Sequence, residues 1–399
     1  MSPSRPDGPG PSATEQLTDA VNLASWVDRV PVTAFWEITD ECNLRCIHCW
    51  ADDGRAAADE LTTAEAMDVA DQLAAAGCRR VYLTGGEPLM RPDWPQIADR
   101  LRQRGVDVTL ITNGIRVNET VLATLREAGV AGLSVSVDGP QEVHDAIRVG
   151  APRGVRSVYV RALRAIELGK RGGLRVTAIT QVHRGNLREL DAMGELFAEL
   201  GVDVWQIQLC RPLGRLVHHR GRYLLEPRQL PELETTLGRL IDRKLVSITV
   251  ADNIGYYGRL EPKLRSSDQP VPRVWAGCLA GCRTVALCAN GDVKGCPSHP
   301  REFIVGNVRE TPFGTLWADP GRFPYNTAFR EELLEGACAE CAYRRVCRAG
   351  CTSMAYCVTG TIYDNPFCLQ RATEVTTNRR RNIVDSAISR RRKPATAKP

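Results

Sequence analysis

The sequence predicts an α/β chain, a partial (β/α)6 parallel barrel followed by a small cysteine-rich domain. Three observations predict it. From Val32 onward, short apolar runs alternate with amphipathic helical stretches, and alternation of this kind implies a parallel sheet with helices outside. From Cys278 the composition changes to short segments rich in Gly, Pro and Cys. The 399 residues suffice for two cores at roughly 100–200 residues each.

In chain order, residues 1–12 read as disordered and 14–30 as a lead-in helix, so 1–31 precedes the barrel. The barrel spans 32–250. Its strands are expected at 32–39, 79–84, 107–112, 132–137, 174–181 and 203–210. Helices fill 62–76, 92–104, 117–128, 155–170 and 186–200, and right-handed βαβ crossovers suit these lengths. A further helix near 227–243 and a short strand at 246–250 end this part. Residues 251–275 read as a linker, 276–370 as the cysteine-rich domain and 371–399 as a basic, disordered tail.

Composition narrows the function classes. Hydrophobic content of 43% and charge of 25% are ordinary globular values. The net charge of +5 comes from the tail, where nine Lys and Arg face only Glu374 and Asp385. The remainder is slightly acidic, so a nucleic-acid partner is not expected. No apolar run approaches ~18 residues, which excludes a membrane-spanning helix. The first residues lack the apolar core of a signal peptide, so a cytoplasmic location is expected. Fifteen cysteines in such a compartment point to metal rather than disulfides.

The loop after the first strand places Cys42, Cys46 and Cys49 at C-x3-C-x2-C spacing. Three thiols so spaced can converge on one iron–sulfur cluster; a 4Fe–4S cube held by three leaves one iron open, as catalytic metal sites keep a free position. A structural zinc knuckle is the alternative, but it needs a second ligand pair close by. His48 lies between Ile47 and Cys49, with its side chain expected to point away from the thiols. A strand's C-terminal end is where catalytic residues gather in parallel barrels.

With Trp50 after it, this loop resembles that of the radical S-adenosylmethionine (SAM) enzymes, His48 replacing the usual aromatic residue. The resemblance implies that the open iron binds the amino and carboxylate groups of SAM, and that one electron cleaves the sulfonium to a 5′-deoxyadenosyl radical. It also implies roles further along. Gly85, Gly86, Glu87 and Pro88 follow the second strand and resemble the motif that receives the SAM amino group. Glycines permit close backbone approach, and Glu87 offers acceptors to an ammonium. Asn113 closes the third strand beside the expected SAM position. Ser134, Ser136 and Asp138 share a face by period-two alternation, and Ser136 and Asp138 are expected near the ribose and carboxylate. Arg148, in a His-Asp-x-x-Arg run, is expected either to clamp the SAM carboxylate or to make a surface ion pair. Gln206 and Gln208 share one face of the sixth strand, where they either read a substrate backbone or satisfy a neighbouring loop. The segment 252–257 either borders the substrate cleft or is a plain turn.

The second cysteine group contains Cys338, Cys341, Cys347 and Cys351 at C-x2-C-x5-C-x3-C, with Cys368 beyond and Cys278, Cys282 and Cys296 upstream. It resembles the SPASM domain, which holds two auxiliary iron–sulfur clusters. That resemblance assigns Cys278, Cys282, Cys296 and Cys351 to the first auxiliary cluster, of 4Fe–4S or 2Fe–2S type, with Cys288 as an alternative ligand. It assigns Cys338, Cys341, Cys347 and Cys368 to the second. Metal would then staple a domain with little apolar core. Cys78, Cys210 and Cys357 read as buried small hydrophobes.

SPASM enzymes act most often on ribosomal peptides. The expectation is therefore a maturase that cross-links or oxidises side chains of a precursor peptide, resembling in layout the mycofactocin and pyrroloquinoline quinone pathway enzymes. The resemblance also implies a low-potential electron donor of flavodoxin or ferredoxin type. About thirty residues precede the barrel, too few for a peptide-recognition module, so leader binding, where it occurs, is expected to need a separate recognition protein or another surface. Modification of a haem precursor is the runner-up. Sulfatase-type maturation is disfavoured because Pro297 stands where those enzymes carry Asp. A non-catalytic electron carrier or zinc-binding interaction protein is the reading from another class. His183, His218, His219 and His299 are candidate acid–base groups by residue type alone.

Overall fold

The computed structural model describes residues 29–50, 54–266 and 273–373. The expected disorder at 1–12, most of the lead-in helix and nearly all of the basic tail lie outside the described residues.

Seven parallel strands run through the barrel part: β1 (Thr33–Glu37), β2 (Arg80–Thr84), β3 (Asp107–Thr112), β4 (Gly132–Ser136), β5 (Arg175–Val182), β6 (Val204–Leu209) and β7 (Ser247–Val250). Their order in space is their order in sequence. Three more strands come from the cysteine-rich part: β8 (Thr284–Leu287), β9 (Asp292–Lys294) and β10 (Gly306–Asn307). β8 pairs parallel with β1, Thr33 opposite Thr284, and β9 and β10 follow antiparallel. One ten-stranded sheet thus runs through both parts. The short strand expected at 246–250 is β7 and joins the sheet beside the six, whereas β8 was not expected: it is a four-residue run between Cys282 and Cys288, too short to signal a βα unit.

Helices cover the outer face for readable reasons. Helix Thr63–Ala75 begins at a capping box in which the Thr62 side chain accepts from the Glu65 N–H and Glu65 reaches back to the Thr62 N–H. Helix Trp94–Gln103 buries Trp94, Ile97, Ala98 and Leu101, spaced i, i+3, i+4 and i+7. Each large apolar side chain so buried contributes about 1.5–3 kcal/mol.

The described residues of the expected linker, 251–266 and 273–275, pack against the parts on either side. Asn253 both accepts from the Leu209 N–H (3.1 Å) and donates to the Leu209 carbonyl (2.8 Å). The Tyr256 hydroxyl accepts from the Cys351 N–H at 2.6 Å, and the Trp275 indole donates to the Cys347 carbonyl at 3.1 Å. Residues 252–257 therefore fasten the cysteine-rich part to the sheet and do not border the cleft.

Candidate active site

The C-terminal ends of the parallel strands surround a cavity of about 220 Å³. Cys42, Cys46 and Cys49 line it together, all on the loop leaving β1. Neighbouring loops hold that loop in shape. The Ile47 N–H donates to the Ile147 carbonyl (2.8 Å) and the Arg45 N–H to the Val149 carbonyl (2.7 Å). Arg215 donates through Nε to the Cys46 carbonyl (2.8 Å) and through its backbone N–H to the Cys49 carbonyl (3.0 Å). Gly214, at φ +57°, lets this second loop close in: a Cβ there would stand 2.4 Å from the Trp50 Cα. Burial raises the free thiols of Cys42 and Cys46 to about 11 and about 12. Three soft sulfur donors facing one cavity, each a thiolate once metal is present, fit an iron–sulfur cluster.

Gly85 and Gly86 line the same cavity, and the structure shows why both are glycine. A Cβ on Gly85 (φ +144°) would lie 2.2 Å from the Thr39 carbonyl oxygen, and one on Gly86 would lie 2.3 Å from that of Glu41. The backbone they approach closely is the exit of β1, so they clamp the second loop onto the first. Glu87 is buried and fixed: Oε1 accepts from Thr112 Oγ1 (2.8 Å) and the Leu89 N–H (3.3 Å), and Oε2 from the Asn113 N–H (2.8 Å). Burial pushes its carboxyl up to about 7. Asn113 lines the cavity and donates to Asn43 of the cluster loop at 2.7 Å. Ser136 lines it as well, whereas Pro88 only starts a short 3-10 turn and stays outside the lining.

Asp138 departs from the expectation. Its carboxylate does not line the cavity and is wholly buried. Oδ2 accepts from Arg148 Nε (2.7 Å) and lies 3.2 Å from His48 Nε2, while Oδ1 accepts from the Gln181 N–H (2.8 Å). Burial opposes its charge, yet Arg148 and His48 hold it well below the usual carboxylate range. The period-two face ends with β4 at Ser136, and the turn through Gly139 (φ +148°) takes Asp138 out of phase. Arg148 is correspondingly neither exposed nor in a surface pair: one side of its guanidinium holds Asp138 and the residue lines the cavity. His48 does turn away from the thiols, toward Asp138.

The opposite wall has a different character. Gln181 on β5 and Gln208 on β6 are register partners, and both face the cavity with Gln206. Their side-chain amides make no hydrogen bond to any described residue. Ile179, Arg211 and Leu213 complete this wall, Phe35 and Ile111 line the cavity from β1 and β3, and Pro297 and Ser298 reach in from the cysteine-rich part. The sequence reading missed Gln181 and Arg211; the register of Gln181 with Gln208 was the signal for the first. Among the histidines only His48 lines the cavity.

The other thiols fall into two groups. Cys338, Cys341, Cys347 and Cys368 line a single cavity of about 380 Å³. Cys278, Cys296 and Cys351 lie within electrostatic reach of one another. Cys282 reaches Cys278 but opens on a separate cleft beside Arg29 and Arg348. Cys288 faces Glu37 and Lys294 instead of that trio. Four thiols around one cavity fit a fully ligated cluster.

A cavity at the strand ends that joins three cysteines of one loop to a Gly-Gly-Glu turn defines an enzyme site of radical SAM type. The chain belongs to the radical SAM superfamily and carries a SPASM domain: residues 36–206 match the radical SAM superfamily and 278–342 the SPASM iron-sulfur cluster-binding domain. It is 31% identical to the AdoMet-dependent heme synthase of Methanosarcina barkeri (strain Fusaro / DSM 804), over 84% of this chain and 95% of that one. It is also 31% identical to the mycofactocin maturase MftC of Mycobacterium ulcerans (strain Agy99), over 84% of this chain and 86% of the other. In fold it is similar to the solved structure of native anSMEcpe with bound AdoMet, with a TM-score of 0.65, 18% identity and coverage of 89% of this chain and 100% of that one. Among the described residues, no helix is long and apolar enough to cross a membrane.

Proposed function

We propose that this enzyme cross-links or oxidises side chains of a ribosomally made precursor peptide. One observation carries the reading: three unpaired amides, Gln181, Gln206 and Gln208, stand side by side on the wall facing Cys42, Cys46 and Cys49. Amides that donate and accept are suited to the alternating N–H and C=O groups of an extended peptide. The relation to MftC, named a maturase, supports the same reading.

In this reading Cys42, Cys46 and Cys49 hold the 4Fe–4S cluster that binds SAM. When bound, that pair supplies a carbon radical able to abstract a substrate hydrogen atom. Glu87, fixed by Thr112, Leu89 and Asn113, receives the SAM amino group. Ser136 and the free side of Arg148 face the remaining polar atoms of SAM, and the Asp138–Arg148–His48 set keeps that side rigid. Cys278, Cys282, Cys296 and Cys351 hold the first auxiliary cluster, and Cys338, Cys341, Cys347 and Cys368 the second. Phe35, Leu213 and Pro297 exclude water from the reacting carbon. A separate peptide-recognition protein, a flavodoxin- or ferredoxin-type electron donor and a cytoplasmic location complete the proposal.

A second reading, modification of a haem precursor, is favoured by the relation to enzymes named AdoMet-dependent heme synthase. The test treats anaerobically reconstituted enzyme with SAM and dithionite, offering either the peptide encoded beside the gene or Fe-coproporphyrin III. Three clusters predict roughly ten to twelve irons per chain. 5′-Deoxyadenosine formation coupled to a peptide product lighter by two hydrogens is the expected outcome. Coupling to the porphyrin alone establishes the second reading, and zinc in place of iron removes both.

A further inference from the structure

The wall built by β6 ends in a side chain with no work assigned to it. Arg211 is the second residue beyond β6, lines the cavity, and sits where the barrel meets the cysteine-rich part. Its Nε is sealed from solvent and has no hydrogen-bond partner. Among the described residues no carboxylate pairs with it and no acceptor engages its side chain. The other arginines at this site are each committed: Arg148 to Asp138, Arg45 to the Cys42 and Leu44 carbonyls, and Arg215 to the Cys46 carbonyl. Leaving a guanidinium desolvated and unpaired costs free energy, and its planar fork suits a carboxylate held by two parallel hydrogen bonds. Its cavity neighbours Gln206, Gln208, Pro297 and Ser298 are all uncharged, and the buried Asp252 lies within electrostatic reach of it but makes no ion pair or hydrogen bond with it.

We propose that Arg211 is the substrate-carboxylate anchor of the active site: it grips a carboxylate of the bound substrate and thereby sets which carbon faces the SAM side of the cavity. This rests on the function proposed above and narrows it to acid-bearing substrates. The carboxylate belongs to the peptide, at its C-terminus or on an acidic side chain; a porphyrin propionate presents the same chemistry. Arg211 lines the same cavity as Cys42, Cys46 and Cys49, so a substrate held at one end by Arg211 and along its length by the three amides lies in the space those cysteines face.

Arg211 also lies within reach of Cys351 and Cys296, and a guanidinium there would alternatively serve only to balance charge at an auxiliary cluster. The experiment separates the two roles. Reconstituted, SAM-loaded holoenzyme is incubated anaerobically with a randomised hexapeptide library bearing free carboxyl groups, and with the same library amidated at every carboxyl. Retained peptides are counted by mass spectrometry. Fe-coproporphyrin III and its tetramethyl ester form a parallel arm, read by the porphyrin absorbance. The wild type is expected to retain at least one acid probe over its neutral counterpart by about tenfold, the size of one desolvated charge-assisted contact. Arg211→Gln is expected to lose that discrimination and Arg211→Lys to keep part of it. Which arm discriminates identifies the source of the carboxylate. Auxiliary-cluster midpoint potentials, from the same samples by electron paramagnetic resonance, are expected to be alike in wild type and Arg211→Lys. Arg211→Lys keeps the charge and carries the test if Arg211→Gln fails to load iron. Equal retention of acid and neutral probes by the wild type overturns the proposal, as does a variant with shifted potentials and intact discrimination. Loss of SAM cleavage in the wild type itself would instead refute the parent function.

Discussion

The two walls of the cavity differ in how their polar groups are spent. On the β1–β4 side nearly every one is already engaged: Glu87 accepts three hydrogen bonds, Asn113 holds the cluster loop, and Asp138 joins Arg148, His48 and the β5 backbone. On the β5–β6 side Gln181, Gln206, Gln208 and Arg211 face the same space with their side chains unengaged by any described residue. Satisfied networks rigidify a site, and unsatisfied groups await a ligand. On the function proposed above, the engaged wall is the cofactor's and the open wall the substrate's.

The largest break in this contrast comes from the thiols. Cys46→Ala is expected to reduce 5′-deoxyadenosine formation to background and to lower iron content by roughly a third, one cluster of three. Iron determination beside a SAM cleavage assay checks both. Retention of full turnover with the iron lost would remove the radical mechanism altogether.

Next in size is the buried network. Asp138→Asn leaves Arg148 charged and buried without its partner, and removing one partner of such a pair costs about 3–5 kcal/mol. The urea midpoint of the metal-free chain is expected to fall accordingly. The sign with pH follows from the depressed carboxyl: the wild-type advantage is complete above about pH 4 and fades as pH drops through the folded-state value. An unchanged midpoint would mean that the engaged wall is not held by this pair.

Glu87 gives a smaller effect of opposite sign. Its carboxyl is raised to about 7, so the folded chain binds a proton that the unfolded chain has already released above pH 4.5. Stability attributable to Glu87 therefore falls as pH rises from about 4 to 7. SAM affinity moves the other way, because the ionised carboxylate is the stronger acceptor for the N–H groups of an iron-bound amine. Calorimetry of SAM binding to the cluster-loaded enzyme is expected to give about tenfold tighter binding at pH 8 than at pH 6, following the ionised fraction of a group near 7. A flat profile would detach Glu87 from the SAM amino group.

Legibility in the sequence followed the same division. The engaged wall was readable because its parts are contiguous: a cysteine triplet and a Gly-Gly-Glu turn each occupy one loop, and chemistry plus spacing locate them. The open wall is assembled from single residues on different strands, Gln181 and Gln208 meeting only through the β5–β6 register, so Gln181 had no local signature. Arg211 is an ordinary residue in sequence and becomes unusual only where the fold denies it an acceptor. Asp138 was misplaced because alternation was carried past the end of β4. The barrel itself was legible from its repeating units, whereas β8 was not, since four residues between cysteines gain their place from pairing with β1 rather than from any periodicity of their own.

The finest test of the contrast is Gln208→Leu. On an engaged wall, removing a buried hydrogen-bonding side chain strands its partner and costs about 1–3 kcal/mol. Gln208 has no partner among the described residues to strand, so its replacement by a near-isosteric apolar side chain is expected to leave the urea midpoint of the metal-free chain within about 0.5 kcal/mol of wild type. Substrate recognition should register the change instead. Loss of one neutral hydrogen bond to a peptide backbone raises KM by about threefold to tenfold, while kcat at saturation stays close to wild type because the amide is not at the reacting carbon. The opposite pattern, a destabilised chain with unaltered KM, would show that Gln208 is spent on the fold, and the two walls would then differ in degree and not in kind.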